Sequence, residues 1–449
     1  MKYLMQKIST ALLVVFVVAS CDVTNQTPQQ SLPSETVLTT EQGANATLAG
    51  AYSQYQVVLQ DDYVFSELAA DDAGHSGSYP SWAAVDQHNM LASNAESRDL
   101  WIDYYDLINI ANNLIANVPN IDEEGFSDAE KGQIVSEAKV LRALAYHSLV
   151  RWFGPVPLIT TPTTSLGEES FVSRSSVSDV YSQIATDLGD AESTLGANGS
   201  PNSRSATGWT AKALLARVHL YQGNYQDAYD YADDVITNGP FSLGDYEALY
   251  GDTPSSNEPI FTLVYTNEDA NNLSFFARPN GSGGRYEYAP TQTYLNSFES
   301  GDLRLGRNLM DVNSDGTPEL GKYFTLEGRD DVIVVRLAEM YLIRAEAGVQ
   351  TGEDESDILD DIDTIRNRAN LSDINDPTPG VQDYTDQELV NFVMQERSIE
   401  LAQEGHRWHD LNRLDMAAST FGISQNMTLW PIPQREMESN PELTQNDGY

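Results

Sequence analysis

Residues 138–153 constrain the fold most, because their pattern predicts a helix that is apolar on two faces. One face repeats apolar side chains at three- and four-residue spacing: Ala138, Leu141, Ala145, Leu149 and Trp152. A second face carries Leu144, Tyr146, Val150 and Phe153. A helix of this kind packs between other helices. Gly154, Pro155 and Pro157 predict where it ends. We therefore expect a buried central helix in an all-α region.

Helical periodicity recurs along most of the chain and predicts a repeat scaffold. Further helices are predicted at residues 40–59, 98–118, 176–195, 206–221, 225–237, 331–348 and 357–369. Gly223, Ala228 and Pro240 fall at the separations of a tetratricopeptide repeat, in which small residues let paired helices approach closely. We predict a mainly α fold, a tetratricopeptide-like helical scaffold with long loop and minor β insertions.

Two stretches depart from the helical pattern. Residues 71–89 are predicted to form a long polar loop. Residues 241–324 are richer in glycine, asparagine and aromatic side chains, and only 260–265 within them predict a strand. Residues 275–288 are predicted to be a flexible loop flanked by aromatic side chains.

Composition limits the classes of partner. The 449 residues include 67 acidic and only 25 basic side chains, for a net charge of -42. Nucleic-acid binding requires the opposite sign and is excluded. With 41% hydrophobic residues the chain can form a sizeable core. Apart from the N-terminal segment, no run of residues is long and apolar enough to span a bilayer.

The N-terminus predicts export. Lys2 and Lys7 precede a short apolar run at 11–18, the pattern of a secretory signal peptide over residues 1–20. The small residues before Cys21 resemble the lipobox of bacterial lipoproteins, in which the cysteine is acylated and becomes the new N-terminus. Acyl chains such as palmitate would hold the protein on a membrane. The alternative is an ordinary signal peptide followed by an unmodified cysteine. Residues 21–39 are predicted to be the lipidated tether.

Four ordered blocks resemble the SusD/RagB family of nutrient-binding outer-membrane lipoproteins. The first is the string RALAYHSLVRWFGPVPL, in which His147 stands where the family usually has an aromatic residue. The second is RLAEMYLIRAEA, beginning at Arg336. The third is ER-x-x-EL-x-x-EG-x-RW-x-DL-x-R, beginning at Glu396, and the fourth is the tail from Pro431 to Tyr449. A W-x-x-x-Y-x-x-I-x-x-A-N pattern beginning at Trp101 is also similar to the family.

The resemblance implies a SusD-like α/α superhelix and a division of the chain. The expected parts are a lipoprotein signal peptide at 1–20, a lipidated tether at 21–39, an N-terminal helical region at 40–250, a loop-rich insertion at 251–325, and a C-terminal helical region and tail at 326–449.

The resemblance also implies a function. Such a protein would be anchored in the outer membrane by its lipid, face the exterior and capture a nutrient, often a glycan. It would deliver that nutrient to a SusC-like TonB-dependent transporter. One alternative is a peptide-binding member of the same family. Another is a tetratricopeptide-like adaptor that binds protein only, although this class does not account for the glycine- and aromatic-rich inserts or the lipobox.

No catalytic motif supports a third class, a surface hydrolase. H-E-x-x-H, G-x-S-x-G and paired C-x-x-C motifs are missing from the sequence. We therefore expect no enzymatic activity and no required cofactor.

Candidate ligand contacts lie in the two aromatic-bearing loops. Aromatic rings can receive the apolar face of a sugar, and arginine, asparagine and aspartate can bond its hydroxyls. The candidate residues are Tyr79, Trp82, Phe276, Arg285, Tyr286 and Tyr288. The alternative for each is a packing role, and the sequence does not establish that the two loops meet.

A possible calcium loop begins at residue 311. Asp311, Asn313 and Asp315 alternate before Gly316 and supply the hard oxygen ligands that calcium prefers. Lys322 stands where a calcium-binding EF-hand would have glutamate. A solvated acidic turn is therefore the alternative.

The third sequence block carries charged and histidine side chains that we assign to structure. Glu396, Glu400 and Glu404 are predicted to share one helix face and to form structural ion pairs, since unpaired carboxylates at this spacing would repel. His406 and His409 are spaced one helical turn apart, as two metal ligands would be, but we interpret them as structural too.

Overall fold

The computed structural model describes residues 37–163, 171–251, 255–311, 316–374 and 384–449. The predicted signal peptide, Cys21 and nearly all of the predicted tether therefore lie outside the described residues. None of the described helices combines the length and apolar character needed to cross a bilayer.

Helices dominate the described chain. The first seven are α1 (Glu41–Leu68), α2 (Pro80–Asp86), α3 (Ala95–Asn117), α4 (Asp128–Phe153), α5 (Val177–Leu195), α6 (Gly208–Gln222) and α7 (Tyr225–Asn238). Short helices follow in the insertion, namely α8 (Leu273–Ala277), α9 (Gln292–Leu295) and α10 (Leu305–Asn308). The C-terminal helices are α11 (Leu337–Thr351), α12 (Glu355–Arg368), α13 (Asp386–Glu400), α14 (Arg407–Arg413), α15 (Ala417–Phe421) and α16 (Gln434–Ser439).

Strands are few and short. They are β1 (Ala73–His75), β2 (Pro259–Leu263), β3 (Tyr288–Pro290), β4 (Leu309–Met310), β5 (Glu319–Leu320) and β6 (Val332–Arg336). They form three antiparallel pairs, β1 with β3, β2 with β6, and β4 with β5.

The long helices form a helical frame in which each packs on the next. Helix α1 packs on α3, α3 on α4, α4 on α5, α5 on α6, and α6 on α7. The series continues from α7 to α11, which also contacts α12 and α13. The helical frame thus continues directly from α7 to α11. The chain between these two helices forms an insertion, within which strand β2 pairs with strand β6 just before α11. The predicted mainly α, tetratricopeptide-like scaffold is confirmed.

The predicted central helix is α4, and both of its apolar faces are buried. Its N-terminus is closed by a capping box between Ser127 and Glu130. At its end Gly154 has a φ of 69°, and a Cβ there would lie 2.8 Å from Leu429. Trp152 has no exposed surface, and its ring centroid is 4.1 Å from that of Trp430. Truncating such an aromatic side chain costs about 3–5 kcal/mol.

Helix α1 extends to Leu68, well past the predicted end at residue 59. Charged residues interrupt the apolar pattern here, yet Asp62 is buried because tertiary contacts satisfy it. Its carboxylate accepts a hydrogen bond of 2.7 Å from Trp152 Nε1 and another from the Tyr104 hydroxyl. Because Trp152 of α4 and Tyr104 of α3 satisfy this buried carboxylate, α1 can continue past the residue at which apolar periodicity alone predicts its end.

Residues 331–336 correct a second prediction. They were expected to begin a helix, but β6 occupies Val332–Arg336 and α11 starts only at Leu337. Three of the five strand residues are valine and one is isoleucine, and β-branched side chains fit a fully buried strand.

Side chains of the third sequence block form a buried ion cluster with residues of the insertion and of α12. Its cations are Arg304, Lys322, Arg336 and Arg368, and its anions are Glu258, Asp302, Glu396, Glu400 and Glu404. Arg336 lies 2.7 Å from Glu258 and 2.9 Å from Glu404, and Lys322 lies 2.7 Å from Glu404. The predicted structural ion pairs are confirmed.

The predicted shared helix face is wrong in one respect. Helix α13 ends at Glu400, so Glu404 lies in the following turn. Gln403 and Gly405 have φ values of 62° and 75°, a left-handed backbone that the helix cannot contain. Opposite charges from other elements hold all three glutamates, so the pairing does not need one continuous helix.

Candidate functional site

The two loops that carry the candidate ligand residues meet in space. Neither is structureless as predicted, since 71–89 contains β1 and α2, and 275–288 includes most of α8, a 3₁₀ turn and the start of β3. Strand β1 pairs with β3 so that Ala73 lies opposite Pro290 and His75 opposite Tyr288. This pairing places side chains from residues 79–82 beside those from residues 276–288.

A single buried carboxylate clamps the two loops together. Glu287 accepts hydrogen bonds from the backbone N–H groups of Ser78 and Tyr79 at 2.7 and 3.1 Å, and from Arg285 at 3.1 Å. Burial alone would raise the pKa of Glu287, but these hydrogen bonds hold it below its ordinary value. A Cβ at Gly77 would lie 2.1 Å from the Glu287 carboxylate, so glycine permits the close approach.

The six candidate residues of the two paired loops are referred to below as the aromatic patch: Tyr79, Trp82, Phe276, Arg285, Tyr286 and Tyr288. The Trp82 ring centroid lies 4.9 Å from Phe276, 5.6 Å from Tyr79 and 6.3 Å from Tyr288. The Arg285 guanidinium lies 4.4 Å from the centre of the Tyr79 ring, a cation–π contact. The structure therefore brings the members of both loops into contact.

Exposure separates the patch into a floor and a rim. Trp82 and Tyr288 are only 5% and 4% exposed, so they support the patch from beneath. Tyr79, Phe276 and Tyr286 are partly exposed, and the Arg285 side chain is 39% exposed. A ligand would reach the rim residues first. A packing role therefore fits Trp82 and Tyr288 better than it fits the other four candidate residues.

Tyr286 adopts a backbone conformation that is rare for a bulky residue. Its φ is 55°, in the left-handed region. The surroundings hold it there, because its carbonyl accepts a 2.7 Å hydrogen bond from Ser76 Oγ and its hydroxyl donates to Pro318 O at 2.8 Å. Strained residues of this kind are concentrated at binding sites. The turn aims the Tyr286 side chain toward the segment at residue 318.

Two of the three predicted calcium ligands, Asn313 and Asp315, lie outside the described residues. The third, Asp311, accepts a 2.8 Å hydrogen bond from the Gly316 backbone N–H. Across the described ranges, no group of three or more histidine, cysteine, aspartate or glutamate side chains is arranged to hold a metal ion. The calcium loop stays a prediction.

The two histidines of the third sequence block lie in the core. His409 Nε2 is 3.3 Å from Ser66 Oγ and 4.0 Å from Asp62. Burial and the charge of Arg151 lower the pKa of His409 to about 4. Burial lowers the pKa of His406 as well. Both rings are therefore neutral near pH 7, and the buried His409 ring packs edge-on against that of Trp152 at a centroid distance of 4.6 Å.

The residues that assemble the patch were not predicted from the sequence. Glu287, Ser78 and Gly77 have no motif, and their roles depend on partners more than 200 residues away. The only local signal is the string RYEY, in which a lone glutamate stands between two tyrosines in a glycine-rich loop. That signal marks Glu287 as unusual but does not identify its partners.

Two protein-family models match the chain. One, described as "Starch-binding associating with outer membrane", matches residues 22–220, and the other, described as "SusD family", matches residues 320–428. The two ranges together cover more than half of the chain and include three of the four sequence blocks.

One relative and two solved structures align along nearly the whole length, and a second relative aligns over a shorter part. A SusD-like protein of Formosa agariphila is 26% identical over 96% of this chain and 96% of its own length. The starch-binding protein SusD of Bacteroides thetaiotaomicron is 33% identical, but over 26% of this chain and 22% of its own length. A solved SusD superfamily protein from Bacteroides vulgatus has a TM-score of 0.81 at 22% identity, covering 92% of this chain and 100% of that one. A laminarin-binding SusD-like protein has a TM-score of 0.78 at 24% identity, covering 91% and 99%. At these identities the structural likeness shows the fold.

Proposed function

This chain belongs to the SusD/RagB family, and we propose that it captures oligo- or polysaccharide outside the cell and delivers it to a SusC-like TonB-dependent transporter. In this proposal Cys21 carries the lipid that anchors it in the outer membrane. The aromatic patch is the proposed binding site. The names of two similar proteins, one starch-binding and one laminarin-binding, support a glycan as the cargo.

The observation that carries the proposal is the meeting of two distant loops in a fixed, partly exposed aromatic surface. Glu287 holds both loops, so the rings of Tyr79 and Phe276 are positioned before a ligand arrives. A preformed site avoids the free-energy cost of ordering loops during binding. The rings can receive the apolar face of a sugar, and Arg285 offers N–H donors to its hydroxyls.

A binding screen tests the proposal. The soluble form beginning at Asp22 is run against glycan polymers and peptide mixtures at low and high salt. We expect retardation by at least one glycan, and about tenfold or greater weakening in the double variant Tyr79→Ala and Phe276→Ala. The matched control is Tyr229→Ala and Tyr384→Ala, which removes two partly exposed rings elsewhere. Equal binding by the patch variant and the control would place the glycan site outside the patch.

The other outcomes of the screen separate the alternatives. Retention by peptides and by no glycan would favour the peptide-binding member of the family. Turnover of a candidate polymer would reveal a hydrolase. Co-purification of the wild-type protein with a TonB-dependent barrel tests the transporter partner. Palmitate labelling that persists in Cys21→Ala would exclude the proposed anchor.

Calcium at Asp311, Asn313 and Asp315 is a separate part of the proposal. The chemistry that supports it is the alternation of hard oxygen donors before Gly316. Thermal melts with calcium and with a chelator should differ if the ion binds to the folded chain. Identical melts would leave the solvated acidic turn as the remaining interpretation.

A further inference from the structure

A second cleft lies on helix α3, and none of the six aromatic-patch residues lines it. It encloses about 690 Å³, within the range of about 300–1,000 Å³ that small-ligand sites occupy. One wall is α3, a second is the extended segment after α4, and a third is α16 with the turn that follows it. None of the residues that line it was predicted from the sequence to bind a ligand or a metal ion.

The walls of the cleft are fixed by hydrogen bonds. The Tyr105 hydroxyl donates to Pro157 O at 2.8 Å, and Asn112 Nδ2 donates to Ile159 O at 3.0 Å. These contacts hold the extended segment against α3 at two points that lie about two helical turns apart. The cleft is therefore part of the folded chain and does not need a ligand to order these two walls.

Aromatic and apolar side chains form its floor and one edge. Trp101 and Leu443 are buried, whereas the Tyr105 ring is partly exposed. Phe171 stands at the edge with 37% of its surface exposed, and few large apolar side chains among the described residues are exposed to this degree. Exposed aromatic surface beside a cavity marks a place where a ligand with an apolar face can pack.

The remaining rim is polar and carries no cation. Asp106, Asn109, Glu436 and Ser439 line it, and no lysine or arginine is among the lining residues. Among the described residues, no side chain donates a hydrogen bond to either carboxylate or forms an ion pair with it. Burial raises the pKa of both Asp106 and Glu436, although the charge of Arg435, which does not line the cleft, acts in the opposite direction at Glu436. The carboxylates can accept hydrogen bonds from hydroxyl groups, whereas a sulfate, phosphate or uronate would be repelled.

We propose that this cleft is a second binding site for an uncharged oligosaccharide segment, and that one glycan chain can occupy it together with the aromatic patch. The inference rests on the proposed function. Helix α3 links the two sites, because Glu96 near its start accepts a 2.5 Å hydrogen bond from Ser81, beside Trp82. Tyr105 lies about 14 Å further along the helix, at about 1.5 Å per residue. A polymer of several sugar units can span that distance, and contact at two sites raises its affinity by avidity.

The test compares a cleft variant with a matched control. The cleft variant carries Asp106→Ala, Phe171→Ala and Glu436→Ala, all partly or fully exposed side chains at the rim. Its control carries three substitutions of partly or fully exposed residues that do not line the cleft: Asp99→Ala, Val177→Ala and Glu438→Ala. Both are checked by thermal melting and titrated with laminarin, starch and xylan, each as polymer and as disaccharide, with alginate as the anionic probe.

Each outcome has a defined meaning. We expect the cleft variant to bind the polymer about tenfold or more weakly than wild type and the control, with little change for the disaccharide, which is too short to occupy both sites. Substitutions in the patch should weaken both ligands. Polymer binding by the cleft variant within about twofold of the control would overturn the second site while leaving the patch intact. Alginate binding that the cleft variant loses would overturn the assignment to uncharged glycans. If wild type binds neither the neutral probes nor alginate, the proposed function fails and the second site fails with it.

Discussion

The helical frame and the aromatic patch depend on contacts of very different range. In the frame each long helix up to α7 packs on a neighbour along the chain, and Arg142 of α4 pairs with Asp187 of α5 at 2.7 Å. In the patch the Glu287 carboxylate bonds the Ser78 N–H from 209 residues away. Contacts between neighbouring elements follow from local periodicity. Those of the patch arise only after the frame has brought the two loops together.

The two regions also handle charge differently. The ion cluster, centred on Arg336 and Glu400, excludes water and satisfies several carboxylates at once. The patch has one buried carboxylate, Glu287, and one exposed cation, Arg285. Removing one member of the buried cluster leaves other buried charges with fewer partners and should destabilise the whole fold. A single carboxylate that holds two loops beside solvent can instead be replaced while the frame stays folded. The predictions below test this difference.

Arg336→Ala should cause the largest loss of stability. The substitution removes the guanidinium shared by Glu258, Glu400 and Glu404 and leaves their buried charges with fewer partners. We expect a fall of about 3–5 kcal/mol in the free energy of unfolding, measured with urea. The control is Arg98→Ala, whose pair with Asp99 is 43% and 48% exposed and should contribute less than about 1 kcal/mol. Similar losses in the two variants would show that burial of the cluster carries no added energy.

Glu287→Ala should loosen the patch and leave the frame folded. Without the carboxylate, the N–H groups of Ser78 and Tyr79 lose their acceptor. Because these loops lie near solvent, water can replace part of the loss, and we expect a cost of about 2 kcal/mol. Amide hydrogen exchange at residues 76–79 should accelerate, while exchange in α4 should not change. Glu268→Ala, an exposed carboxylate in the same insertion, serves as the control. Protection at 76–79 that matches wild type would contradict the role of Glu287 as a clamp.

The sequence predicts the frame well because its pattern is local. The faces of α4, the α6–α7 pair and the end at Gly154 all follow from residue types within a few turns. It fails where a tertiary partner decides the outcome, as with Asp62, whose partners extend α1, and with the buried β-branched run that forms β6. The patch residues can be recognised in the sequence as aromatic side chains and an arginine in two polar loops. Their contact through Glu287 depends on a strand pairing that no local pattern specifies.

Glu67→Gln should change how stability depends on pH. Glu67 is buried at the end of α1, where the backbone N–H groups of Gln403 and Gly405 lie near its carboxylate. Burial raises its pKa to about 7, although the backbone N–H of Gln403 and the charge of Lys322 act in the opposite direction. A raised pKa means that the folded state holds the proton more tightly than the unfolded state does. This stabilisation is complete below the ordinary glutamate range and is lost as the pH rises through about 7.

Glutamine removes that dependence because it has no proton to release. Between pH 5 and pH 8 wild type should lose about 1–3 kcal/mol more stability than Glu67→Gln, measured by urea unfolding at each pH. Asp72 is buried beside Glu67 and interacts with it, so Asp72→Asn should show a change of the same sign. Glu124→Gln, at an exposed position, is the matched control. Equal pH slopes in wild type and Glu67→Gln would show that Glu67 is ionised in the folded state throughout this range.

His147→Phe should produce the smallest change, a gain in stability. His147 is 3% exposed, and neither of its ring nitrogens has a hydrogen-bond partner among the described residues. Its ring meets those of Tyr181 and Tyr221 edge-on at centroid distances of 5.9 and 5.0 Å. Burial and the charge of Arg151 lower its pKa, so the ring is neutral at pH 7 and gains nothing from charge.

Phenylalanine keeps the edge-on packing and removes two unsatisfied nitrogens. We expect a gain of about 1 kcal/mol at pH 7. The gain should grow as the pH falls below about 6.5, because unfolding then lets the histidine bind a proton that the core excludes. His147→Ala, which removes the ring as well, should instead destabilise by leaving a cavity. A loss of stability in His147→Phe, measured with urea, would show that the site is shaped for the smaller ring and that packing outweighs the unsatisfied nitrogens.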